Sequence, residues 1–198
     1  MSKTIEELII SDHLELKVYM NQYLIAKTKD DASKWYNQFV WELVRHHIGE
    51  EIVFFPLIKE MVPNGQQLVD SSLHDHRRIK ESLIEINSTN PESLQYDSKI
   101  QQLWKDLQLH METEENEEIA ILSQYVSKEK RIIAGEKFES RKKISPTRPH
   151  NIIPDESPII ETILGLLIAP IDKFIDLFHT FPSKKCLEEV EKNTSHII

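Results

Sequence analysis

Six residues of this chain place a metal-holding donor atom where a helical protein ordinarily has an aliphatic side chain. They are His13, His46, Glu50, His76, His110 and Glu114. One stripe runs Phe39, Leu43, His46, Glu50, Val53, Leu57, and another runs Ile100, Leu103, Leu107, His110, Glu114, Ile121. Steps of three and four mark one face of a helix. Imidazoles and carboxylates on a core-facing stripe are costly unless something compensates them, and a shared cation is the most economical compensation. His46 with Glu50, and His110 with Glu114, stand at i and i+4, so each pair offers one nitrogen and one carboxylate on the same side of its helix. Imidazole mixed with carboxylate, without thiolate, suits iron, manganese or zinc. Two carboxylates among histidines can also bridge a pair of metals.

Elements must exist to bring these groups together. Thr4 and Glu7 form a capping-box pattern that starts a helix near residue 5, with the stripe Ile5, Ile9, His13, Leu16, Met20, Tyr23. A polar turn at 27–31 precedes a second helix, which runs to about Glu60 and is closed by Pro63-Asn64-Gly65. A third helix is expected over 66–87, with the stripe Val69, Leu73, His76, Lys80, Leu83, and a fourth over 93–126. Between them lies a break at Asn87–Pro91, where Asn90 can cap and Pro91 suits a first turn. At 1.5 Å per residue, His13 lies about 21 Å before the first turn and His46 about 22 Å after it. Glu50 and His76 each lie about 15 Å from the second turn. Antiparallel helices therefore bring the candidates to one level. The expected fold is all-α, an up-down-up-down four-helix bundle with a C-terminal helical arm.

The division expected along the chain is a bundle over 1–127, an extension over 128–182 that packs on it, and a flexible polar tail over 183–198. A basic helix is expected at 128–143, a proline-broken stretch at 145–154, and an apolar helix or helix pair at 159–181 broken near Pro170. The net charge of −9 argues against a nucleic-acid surface. The lone Cys186 rules out an intrachain disulfide framework. No signal-like N-terminus or membrane-spanning run is evident, so a cytoplasmic location is expected, with the nucleus left open.

The order Asp12-His13, His46-x-x-x-Glu50, His76, His110-x-x-x-Glu114 resembles the hemerythrin-like, or HHE cation-binding, domain over about residues 8 to 126. Trp41–His46, Glu50–Pro56 and the fungal-type extension Glu161–Lys173 are similar as well. The resemblance implies non-haem iron, two ions with an oxo or hydroxo bridge, in a left-twisted bundle. His13 and His46 would serve one iron, His76 and His110 the other, and Glu50 and Glu114 would bridge them. Lys80 stands where oxygen-carrying members have a second histidine on the third helix. One iron would then be under-coordinated, which favours sensing, redox or exchangeable binding over oxygen carriage. Three functions follow as expectations. One is a protein that senses or handles iron, dioxygen, nitric oxide or redox state. The others are a di-iron oxidoreductase reducing peroxide, dioxygen or nitric oxide, and a metal-free helical interaction module. The expected partner is a small gas or oxygen-derived ligand. His47 and Glu51 read as flanking, supporting positions, His74 as solvated, and Glu115, Glu117 and Glu118 as a solvated face.

Overall fold

A computed structural model describes residues 2–149 and 179–194. The described residues contain helices and no strand. Helix α1 spans Ile5–Ile25 and opens on the expected capping box, with the Thr4 N–H donating to Glu7 Oε2 at 2.8 Å. Helix α2 spans Lys29–Gly49 and is capped by Thr28, whose side chain accepts from the Asp31 N–H. It runs on through a wide π turn at Glu50–Phe54 into α3, Phe55–Met61. Pro56 explains the wide turn: it has no N–H to give an i−4 carbonyl, and its ring crowds that carbonyl in a regular helix. Helix α4 spans Gly65–Ser88 and α5 spans Tyr96–Glu114. A second π turn, Glu115–Ile119, leads into α6, Ala120–Tyr125. The helix expected over 93–126 is thus interrupted, and it starts later because residues 91–95 form turns.

Short turns fold α1 against α2 and α4 against α5, as a bundle requires. Helix α7, Lys128–Ile144, packs on α1, α2 and the first π turn. Helix α8, Lys184–Thr194, packs on α1. The expected loose tail is therefore helical over 184–194: Cys186, Leu187 and Val190 form a narrow stripe against the bundle core. The apolar segment expected at 159–181 lies mostly outside the described residues. No described helix is long and apolar enough to cross a membrane.

The core is split in two. One apolar cluster gathers Leu16, Met20, Phe39, Leu43, Ile79, Leu83 and Leu107 with their neighbours. The other gathers Ile5, Ile9, Phe54, Phe55, Ile58, Val69 and Leu122, with Phe138 of α7. Between them every helix of the bundle crosses a polar layer: His13 follows Ile9, His46 follows Leu43, His76 follows Val69, and His110 follows Leu107. In α4 the buried face is Val69, Ser72, His76, Ile79, Leu83, Ile86. This corrects the expected stripe through Leu73 and Lys80. Both are only half-buried, and the stepping of three and four starts from Ser72 instead.

Candidate metal centre

All six expected residues lie in that layer and are buried. They fall into two groups of converging donors. Site 1 is His13, His46, Glu50 and Glu114, and site 2 is His47, Glu50, His76 and His110. Within each group the donor atoms lie within 4.8 Å of one another. Glu50 belongs to both. Its Oε1 is 3.0 Å from His46 Nε2, and its Oε2 is 3.3 Å from His76 Nε2. Glu114 Oε2 lies 3.2 Å from His13 Nε2, on the site 1 side.

His47 supplies the fourth donor of site 2. Its position about 100° around from His46 predicts a flanking role. The layer is wide enough to take both. His46 meets His13 edge-on, with ring centroids 4.9 Å apart, while His47 stacks on His76 at 3.7 Å. The two adjacent histidines thus face opposite halves of the layer. His47 brings site 2 to four converging donors without one from Lys80.

Carboxylates outside the two groups fix the rings. His13 Nδ1–H donates to Glu115 Oε1 at 2.8 Å, His46 Nδ1–H to Asp12 Oδ2 at 3.2 Å, and His76 Nδ1–H to Glu51 Oε1 at 2.7 Å. An ionised carboxylate only accepts, so each Nδ1 carries a proton and each Nε2 is the ring atom turned to the layer. This is the usual support for a metal-bound imidazole. It also corrects the reading of Glu115 and Glu118 as a solvated face, since Glu115 is held by His13 and Glu118 is buried against Ser72. Exposed His74 behaves as expected.

The donors do not satisfy one another. His13, His46 and His47 Nε2 and all four oxygens of Glu50 and Glu114 are buried without a hydrogen-bond partner. Several are near an opposite group in distance but are misaligned for a hydrogen bond, because they aim at points between them. His76 Nε2 and His110 Nε2 face each other at 3.1 Å. Each such group costs roughly 1–3 kcal/mol when left unmet. Seven together rival the ~5–15 kcal/mol net stability of a typical domain. A cation within each group satisfies them at once, and the residues present therefore fit a metal.

Protonation at three of the histidines favours the same use. Burial, reinforced by neighbouring histidines, holds His46 and His47 well below the ordinary imidazole range and brings His110 to about 4. These rings are therefore neutral, the form that binds metal. Burial would raise Glu114, but His13, His110 and His46 outweigh it and bring it down to about 2. Burial and the facing Glu114 carboxylate push Glu50 well up.

Glu118 lies one turn beyond Glu114 and is pushed up to about 7, by burial first and then by Glu114. A raised carboxyl pKa in the fold stabilises fully below the unfolded value near 4.5, and that contribution is lost as pH rises through about 7. Glu118→Gln keeps the shape and an oxygen for Ser72 while removing the charge. The metal-free variant is therefore expected to match the parent at pH 4.5 and to exceed it by up to ~3 kcal/mol at pH 8. Urea titrations at the two pH values check this, and an equal difference at both would refute it.

The fold is matched elsewhere. The family model for the hemerythrin HHE cation binding domain matches residues 4–122. A hemerythrin-like protein of Schizosaccharomyces pombe is 34% identical over 179 residues, covering 90% of this chain and 88% of its own. The crystal structure of a hemerythrin HHE cation binding domain-containing protein from Mycobacterium kansasii superposes with a TM-score of 0.63 at 16% identity, over 71% of this chain and 86% of that one. With a family model spanning more than half its length and a relative this similar over nearly all of it, the chain belongs to the hemerythrin HHE cation-binding domain family.

Proposed function

We propose that this protein holds two non-haem iron ions, one in each group, and senses or handles iron, dioxygen, nitric oxide or redox state. The observation that carries this reading is Glu50, a buried carboxylate with one oxygen turned to each of two four-donor groups. His13, His46 and Glu114 would complete site 1, and His47, His76 and His110 would complete site 2. Bound iron would supply one- and two-electron exchange with small oxygen- or nitrogen-centred ligands. The chain's own residues then orient the donors through Asp12, Glu51 and Glu115, and the apolar clusters on either side keep bulk water out. Four protein donors per site leave room for a small exogenous ligand at a six-coordinate ion.

Anaerobic loading with ferrous iron, followed by metal counting and a Mössbauer spectrum, tests the reading. About two irons per chain with the signature of a bridged pair are expected. Less than about one transition metal per chain would defeat it.

A second reading, reduction of peroxide, dioxygen or nitric oxide, is favoured by Glu118. This carboxyl is buried beside Glu114 and holds a proton to about pH 7, a supply at hand for a reduced product. Multiple turnovers with several reductants, lost in His110→Ala, would favour it, and their absence would count against it.

A further inference from the structure

Helix α7 begins beyond the residues matched by the family model, yet it reaches the polar layer. Its contact face steps through Arg131, Ala134, Phe138 and Lys142. Arg131 pairs with Glu6 of α1. Phe138 is fully buried and stands edge-on to the His46 ring at 6.4 Å. It sits so close to Gly49 that any Cβ there would meet its ring at 2.6 Å, so glycine beside Glu50 is what lets α7 approach.

Lys142 lies one turn further on and is about nine-tenths buried. Its ammonium pairs with Asp12 of α1 and with Glu42 of α2. Asp12 Oδ2, the same oxygen, accepts from His46 Nδ1–H. Arg45 closes the arrangement from α2: its Nε donates to the Lys142 carbonyl at 2.9 Å, and its Nη1 pairs with Glu42 at 3.1 Å. The cation is thus tied into a chain running from α7 through α1 to a donor ring on α2.

We propose that Lys142 is a positioning residue of the metal centre, holding Asp12 so that Asp12 orients His46, and so setting how tightly site 1 keeps its ion. The inference rests on the metal-binding reading above. Asp12 sits on α1 beside His13 but must turn toward α2 to reach His46. The pairing with Lys142 selects that turn and compensates the buried negative charge. Supports of this kind typically change metal affinity ~10–100-fold when removed. Site 2 has its own support in Glu51, so the effect should fall on one ion.

Cobalt(II) titration of the full chain, followed by visible absorption, tests this. In Lys142→Met one of two equivalents should weaken by ~10–100-fold while the other is unchanged, and its absorption band should shift. Lys142→Arg, which keeps a cation, should restore binding. Asp12→Asn should weaken the same equivalent, and the Lys142→Met/Asp12→Asn double variant should bind no worse than Asp12→Asn alone, because the two act in series. If Lys142→Met does not fold, the double variant lacks the unpaired buried carboxylate and still decides the matter against Asp12→Asn. Wild-type affinity for both equivalents in Lys142→Met, equal weakening of both, or additive losses in the double variant would overturn the proposal. A lysine that only braces the fold would lower the metal-free melting temperature and leave the ratio of the two affinities unmoved. Failure of the wild type to take up cobalt would instead defeat the metal reading itself.

Discussion

Alanine at Glu50 is expected to strip both ions from the protein, whereas alanine at His47 should strip one. Among the described residues Glu50 alone belongs to both donor groups, so its loss removes a quarter of those donors from both sites. It also removes negative charge from a layer proposed to hold two cations, which would repel one another more strongly without it. Affinity for each ion should fall by at least ~100-fold, more than the ~10–100-fold typical when only a supporting partner is removed. His47→Ala takes a donor from site 2 and leaves the donors of site 1 intact. Metal counting after gel filtration reads both outcomes. Loss of metal in Glu50→Ala should not come from misfolding. Both Glu50 oxygens are buried and unmet in the metal-free fold, so its removal should leave the apo melting temperature unchanged or higher. Two ions retained by Glu50→Ala, or by His47→Ala, would sink the two-site arrangement.

The contrast between these residues shows what the sequence makes legible. His46 and Glu50 lie on the apolar stripe that runs from α2 into the first π turn, so periodicity finds them, and the same holds for His13, His76, His110 and Glu114. His47 is off that stripe, and a single-face reading discards it. The signal was present in another form. His46-His47 followed by Glu50-Glu51 gives two adjacent i, i+4 chelating registers, and Glu114-Glu115 doubles the acid where α5 meets the second π turn. A helix that serves two donor groups has to present an arc rather than a line. The π turns lay beyond a period-3.6 reading, although Pro56 marks the first of them. Both begin at the layer's carboxylates, one at Glu50 and one directly after Glu114, as wide turns at functional sites often do. The Ser72 register of α4 was hidden because Leu73 and Lys80 mimic a stripe one residue away. Lys142 was beyond reach altogether: its role depends on α7 crossing α1 and α2 at the level of His46, which no local spacing records.

Metal should also be a large part of what holds this fold together. A ligand that binds only the native state at a thousand times its dissociation constant adds about 4 kcal/mol. For a chain of this size that corresponds to roughly 10 °C in melting temperature per ion. The structural reason is the divided core: two apolar clusters meet across a layer of unmet donors, and the halves are joined at that level only if the layer is satisfied. Thermal melts of iron-loaded and chelator-stripped protein should therefore differ by more than about 10 °C. The difference should shrink as the pH falls. In the metal-free fold Glu50 is raised by burial and Glu114, and His13 is raised because Glu114 and Glu115 outweigh its burial. Both groups take up protons early on acidification, and a protonated donor is closed to metal. Equal melting temperatures with and without chelator at neutral pH would mean that the layer is stable on its own. The chain would then be a helical module for which the convergence of donors on Glu50 has no metal-binding role.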